Sequence, residues 1–213
     1  MFKSKAALAA FIPLSLLACS TPDGTIDDTG VTATRSACPA VAIPAATGDI
    51  TLFNPENSRD ASAIDVVASI TNLRSTCDES GSNIVTSVTF EIQAQRRDAR
   101  GAREVVLPYF AVAVQGGTQV QSKSISRVAL RFADGQPRAS ASASASGQVS
   151  RAAVTLPEDI RQQITRRRKP GDPSAAIDPM ADPAVREAVL RASFEVLVGF
   201  QLTQDQLAYN ATR

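Results

Sequence analysis

The chain has no histidine and no tryptophan, and only two tyrosines and three cysteines among its 213 residues. Without imidazole there is no Ser-His-Asp triad, no Cys-His dyad and no His-bearing zinc site. With no tryptophan, and Tyr109 and Tyr209 as its tyrosines, the chain is poorly provided with aromatic platforms for sugars. Charge of one sign is also missing. The 22 basic and 21 acidic residues leave a net charge of +1, which gives no footprint for nucleic acid. The apolar stretch from Ala6 to Leu17 is shorter than the roughly 20 residues a helix needs to cross a bilayer. The length suits one domain or two small ones, enough to bury a self-sufficient core.

What is present begins at the N-terminus. Lys3 and Lys5 form a basic region ahead of the Ala6–Leu17 stretch, the pattern of a secretory signal. It ends in Leu16-Leu17-Ala18-Cys19, which resembles the bacterial lipobox. That resemblance implies cleavage before Cys19 and acylation of this cysteine by palmitate-type chains on its sulfur and its new amine. The alternative is an ordinary signal with an incidental cysteine at its end. Several acyl chains, at about 0.8 kcal/mol per buried CH₂, anchor a protein for good. In this class, Ser20 rather than aspartate after the cysteine goes with the outer membrane, the domain facing the periplasm. Cleavage removes Lys3 and Lys5 and no acid, so the mature chain is near neutral, with nothing to steer it toward anionic lipid.

With Cys19 assigned to lipid, Cys38 and Cys77 remain in an oxidising compartment. Two thiols with no histidine and no CxxC spacing favour a structural disulfide over a metal or redox site. Closing that loop contributes about 4 kcal/mol in the chain-entropy account. A pair of inert free thiols is the alternative.

The organisation is then residues 1–18 as signal peptide, 19–37 as acylated cysteine and flexible tether, and 38–213 as the folded domain. The tether is rich in Thr, Asp and Gly and has no apolar period. In the domain, apolar residues alternate strictly: Ile50 and Leu52; Ile64, Val66, Ala68 and Ile70; Val88, Phe90, Ile92 and Ala94. Val106, Phe110, Val112 and Val114 follow, with Pro108 marking an edge strand or a bulge. Val128, Leu130 and Phe132 form another set, and Phe194, Val196, Val198, Phe200 and Leu202 the last. Turn signals at Asn54-Pro55, Ser80-Gly81, Gly116-Gly117 and Asp134-Gly135 separate them. The expected fold is all-β, an immunoglobulin- or fibronectin-like antiparallel β-sandwich of about seven strands. Every phenylalanine beyond the signal falls on these strands and reads as core.

Two segments depart from the alternating pattern. Ala139–Ser146 alternates alanine and serine, which reads as a weakly packed strand or as a linker. Residues 157–191 read as a partly helical insertion. Thr155 and Glu158 have capping-box spacing, Ile160 and Ile164 lie one turn apart, and Asp182-Pro183 opens a second helix. At the C-terminus a short helix is expected. Thr203 and Gln206 would box it, Leu202 and Leu207 staple it, and Leu207 and Tyr209 pack on the sandwich.

Candidate chemistry is sparse. Arg166, Arg167, Arg168 and Lys169 form a basic run that suits a lipid phosphate, lipopolysaccharide or an acidic partner, or simply a solvated helix end. Ser122, Lys123 and Ser124 would make a Ser/Lys dyad if the lysine were buried, but the strand pattern exposes it. Asp27, Asp28, Asp178 and Asp182 lack the spacing of a calcium loop. Asn210-Ala211-Thr212 matches a glycosylation sequon, discounted in a bacterial chain. No residue is expected to be catalytic, to bind a cofactor or to hold a metal.

The mature domain carries a second resemblance. Cys38-Pro39, Cys77, Pro108-Tyr109-Phe110-Ala111-Val112, Phe194–Thr203 and Gln206–Asn210 resemble blocks of uncharacterised proteobacterial outer-membrane lipoproteins. This implies a location in the envelope and no activity. Two functional readings follow: a non-enzymatic lipoprotein that docks an envelope protein by an edge strand or the insertion, or an envelope hydrolase or small-ligand binder with an unrecognised cleft.

Overall fold

The computed structural model describes residues 25–27, 30–32, 36–166, 171, 173 and 177–212. Two four-stranded sheets pack face to face. The first has the order β3 (Ala40–Ala42), β10 (Phe194–Phe200), β7 (Arg103–Gln115), β8 (Gln119–Phe132). The second has the order β4 (Asp49–Phe53), β5 (Ile64–Asp78), β6 (Asn83–Arg96), β9 (Arg138–Ser150). Among the described residues only the β3–β10 pair is parallel. The path is a Greek key: the β5–β6 hairpin, a crossing to the β7–β8 hairpin, a return to β9 beside β6, and a last crossing to β10 beside β7.

Period two decides which side chains meet between the sheets. Val88, Phe90 and Ile92 of β6 pack with Leu107 and Tyr109 of β7, Leu130 and Phe132 of β8, and Val196, Val198 and Phe200 of β10. Each such side chain contributes about 1.5–3 kcal/mol by leaving water. The alanine/serine stretch is β9: Ala139, Ala141, Ala143 and Ala145 pack against this core and the serines face solvent. The β7–β8 turn needs positive φ at two successive positions, and Gly116 (61°) and Gly117 (77°) supply it without a Cβ penalty.

Arg96 ends β6 on the inward phase, and only 2 % of it is exposed. Its guanidinium donates to the carbonyls of Gln136 (3.0 Å), Gly101 (2.8 Å), Ala99 (2.6 Å) and Ala133 (2.8 Å), and lies 5.2 Å from the Phe132 ring centroid. These carbonyls belong to the β6–β7 and β8–β9 crossings, so one side chain ties both passages between the sheets. Beside it, Arg103 of β7 makes a two-pronged ion pair with Asp65 of β5 (2.8 and 2.7 Å), again across the sheets.

α1 (Arg151–Val154) follows β9, and the described part of the expected insertion 157–191 contains α2 (Glu158–Thr165) and α3 (Pro183–Arg191). Ile160 of α2 meets Val185 and Ala188 of α3 in a small core of their own. α4 (Gln204–Thr212) closes the chain behind a reciprocal capping box. In it Thr203 N donates to Gln206 Oε1 (2.9 Å) and Gln206 N to Thr203 Oγ1 (3.2 Å). Tyr209 sets its ring edge-on to Phe53 with centroids 5.1 Å apart.

Several expectations are corrected. Pro108 lies in β7, a central strand, and not at an edge or bulge. Its carbonyl accepts from Gln201 N (2.9 Å), beyond the last residue of β10, so its missing N–H costs the ladder nothing. In β7 the core-facing phase is Val105, Leu107, Tyr109 and Ala111, and Val106 is 49 % exposed. Both phases of this strand are apolar, so alternation could not choose between them. Phe110 lies on the outer phase as a half-buried residue. Thr155 does not box α2: Pro157 is the N-cap, and Thr155 Oγ1 donates to Arg151 O (2.7 Å). Leu207 is 42 % exposed and does not staple. Within the expected tether, β1 (Thr25–Asp27) and β2 (Gly30–Thr32) pair antiparallel, as their β-branched residues favour.

Candidate functional site

β8 and β9 are edge strands on the same flank of the sandwich. Along β8, every residue from Gln119 to Arg127 is exposed on both faces, with Val120 at 63 % and Ile125 at 59 %. The reason lies in the size of the side chains. The inward positions here are Ser122 and Ser124, and their ladder partners on β7 are Ala113 and Ala111. Small side chains cannot fill the space between the sheets. A cleft of about 380 Å³ remains, lined by Ala111, Ala113, Ser122, Lys123 and Ser124 of the first sheet and by Val85, Ser146, Gly147 and Gln148 of the second.

The free backbone groups of β8 can be assigned. Gln201 N donates to Pro108 O, so the even positions of β7 around Pro108 turn their polar groups toward β10. Tyr109 and Ala111 therefore bond to their partners Ser126 and Ser124 on β8. Lys123, Ile125 and Arg127 consequently direct N–H and C=O to the open edge. Their side chains lie on the outer face, Ile125 beside its partner Phe110, with the Lys123 ammonium 5.3 Å from that ring's centroid. Among the described residues neither Lys123 nor Arg127 has an acidic partner, whereas Arg131, farther along, is paired with Glu104 at 2.8 Å. On β9 part of the edge is closed: the Tyr109 hydroxyl donates to Ser144 O at 2.9 Å.

The Ser/Lys dyad is not assembled, because neighbours on a strand face opposite ways. The Lys123 ammonium sits over the outer ring of Phe110, turned away from the hydroxyls of Ser122 and Ser124, although all three residues line the cleft. Cys38 and Cys77 form a disulfide (Sγ–Sγ 2.12 Å) joining the segment before β3 to the end of β5. Glu79 Oε1 lies 2.8 Å from Cys38 Sγ, but with both sulfurs bridged the trio offers a metal a single carboxylate. Asp178 and Asp182 cap helical turns, accepting from Met180 N (2.9 Å) and Ala184 N (2.8 Å). Asn210 spends its amide on Ala46 O (2.9 Å) and Asp49 O (2.7 Å), fastening α4. Arg166 is exposed just past α2; Cys19, Asp28, Arg167, Arg168 and Lys169 lie outside the described residues.

A second hollow, an open depression of about 520 Å³ at α4, carries Arg59, Asp205 and Tyr209. Its charges answer each other, Arg59 with Asp205 at 3.6 Å. The shifted carboxylates lie away from both hollows. Asp98 is held well below the usual range by Arg100, Asp78 by the Ser80 amide and hydroxyl, and Glu158 by Arg161 and Gln162.

In the sequence the open half of β8 shows only as a strand pattern that exposes Lys123, and the cleft beside it has no local signature. A run of serine, lysine and glutamine without an apolar phase was the available signal. Comparison with family models, curated proteins and solved structures finds no match.

Proposed function

We propose that this chain is a bacterial outer-membrane lipoprotein, acylated at Cys19, whose periplasmic domain is a non-enzymatic module that docks an envelope protein along β8. The observation that carries the docking reading is the stretch Gln119–Arg127, exposed on both faces with one row of backbone groups unpaired. Strand addition takes its affinity from main-chain hydrogen bonds, which suits a sequence with so few reactive side chains. The lipobox Leu16-Leu17-Ala18-Cys19 supports the anchor, and the Cys38–Cys77 bridge fits an oxidising compartment. The layout is immunoglobulin-like in this reading. β5, β6 and β9 hold the positions of strands A, B and E, and β7 and β10 those of C and F, while β3 runs along the free side of β10.

Two experiments test it. Cells fed labelled palmitate should mark the wild-type chain and not Cys19→Ala, which should accumulate as a precursor heavier by about 2 kDa. A photo-crosslinker at Gln121 in intact cells should give a discrete protein adduct that Ile125→Pro removes without loss of folding. Unlabelled wild type would overturn the anchor, and no adduct at Gln121 the docking edge.

A further inference from the structure

The charges on the open edge select the kind of strand that fits it. Lys123 and Arg127 flank Ile125 on the outer face, and neither has an acidic partner among the described residues. A second copy of β8 paired antiparallel about Ile125 would set Lys123 against another Arg127. A pairing about Lys123 would set lysine against lysine. Like charges directly opposite are destabilising in a sheet, so the edge disfavours self-association.

Resting on the reading of β8 as a docking edge, we infer that its occupant is an extended acidic peptide segment. Two carboxylates stand opposite Lys123 and Arg127, and an apolar residue stands opposite Ile125. The guest's main chain bonds to the free N–H and C=O groups of Lys123, Ile125 and Arg127. Its apolar outer residue extends the stripe formed by Ile125 and Phe110. Its alternate side chains turn toward the cleft of about 380 Å³ and cover Ala111, Ala113 and Gly147. Those alternate residues stand opposite Ser124 and Ser126, which offer hydroxyls and carry no charge, so they are neutral. The pattern is acid, neutral, apolar, neutral, acid.

The test uses the full mature chain in detergent and two fluorescent nine-residue strand peptides. One has glutamates flanking a central isoleucine on one face, and its counterpart has lysines there. The glutamate peptide should bind about tenfold more tightly, the sum of two rim ion pairs, and lose that advantage in high salt. Lys123→Glu with Arg127→Glu, both at exposed positions, should reverse the preference. Ile125→Pro should abolish binding of either peptide. Equal binding of both peptides, still lost in Ile125→Pro, would overturn the acidic partner and leave the docking edge standing. No binding of either peptide, with no crosslink at Gln121, would overturn both. Sedimentation with phosphatidylethanolamine–phosphatidylglycerol vesicles, abolished by the same charge reversals while neither peptide binds, would assign these cations to lipid and overturn the inference.

Discussion

The hydroxyl of Tyr109, carried on β7, donates to the carbonyl of Ser144 on β9 at 2.9 Å. It reaches across the core from one sheet to the edge of the other, its ring edge-on to Phe90 with centroids 5.2 Å apart. Beyond this tie the flank opens into the cleft, so Tyr109 marks where the sandwich stops being closed. Tyr109→Phe keeps the ring and leaves the Ser144 carbonyl without its donor. The expected loss is about 1 kcal/mol in urea unfolding, because the carbonyl lies close enough to the edge to find water. A loss of zero would mean that the bond does not hold the sheets together.

Arg96 is a cation in the core whose neighbours are carbonyls. Arg96→Met matches its length and removes the guanidinium from four carbonyls; those of Ala99 and Ala133 keep the amides of Gly135 (2.8 Å) and Gln136 (3.0 Å), while those of Gly101 and Gln136 lose their donor. Each buried acceptor left unpaired costs about 1–3 kcal/mol, and water reaching the crossings recovers part of this. A net loss of about 3 kcal/mol or more is expected by denaturant unfolding. Arg96→Lys should rescue little, since an ammonium cannot span four carbonyls with a planar fork.

Two neighbours across the β6–β9 ladder should respond in opposite directions. Thr86 is 1 % exposed and its Oγ1 has no hydrogen-bond partner among the described residues, so Thr86→Val should stabilise by about 1 kcal/mol. Its ladder partner Gly147 has no room for a methyl group. A Cβ there would lie 2.7 Å from Val196 Cγ2, on a fully buried side chain. Gly147→Ala should destabilise by about 1–3 kcal/mol through overpacking. Melting temperatures of the two variants against wild type decide both.

The dependence of stability on pH follows from what titrates. With no histidine, no side chain of ordinary pKa changes charge between about pH 5 and 8, so the melting temperature should be flat there. Asp78, Asp98 and Glu158 are held below their ordinary values in the folded protein. Folding-linked stability from a depressed carboxylate is complete above its unfolded pKa and lost as pH falls through its folded pKa. The decline should therefore begin below about pH 4 and continue into stronger acid. A step near neutrality in a calorimetric pH series would contradict this.

Much of the sandwich could be read from the sequence because a half-buried strand prints its burial in alternate letters, as Val88, Phe90 and Ile92 do. The alanine/serine run was legible as a strand for the same reason. β7 hid its phase because Val106 and Phe110 on the outer face are as apolar as Leu107 and Ala111 on the inner one. The Thr203–Gln206 box was legible because nothing else competes for those groups. The similar spacing at Thr155 and Glu158 misled, because Thr155 bonds back to α1 and Pro157 takes the cap. Arg96 stands on the inward phase of β6, but its four acceptors come from two loops, one directly after it and the other 37–40 residues on. The cleft is likewise a relation between serines of β8 and small residues of β7 and β9, which no single segment contains.

Cys38 precedes β3, the three-residue strand held parallel to β10, and bonds to Cys77 at the far end of β5. A pull on the N-terminal segment therefore reaches β5 through a covalent link before it reaches the hydrogen bonds of β3. Those few bonds would otherwise be unzipped one by one. Load enters instead at the end of a long strand, where Cys77 pairs with Thr86 of β6 and whose other end is paired with β4 as well. With the bridge intact, a stretched domain should hold β3 in place until the second sheet shears, and reduction should turn that shear into an early peel of the flank.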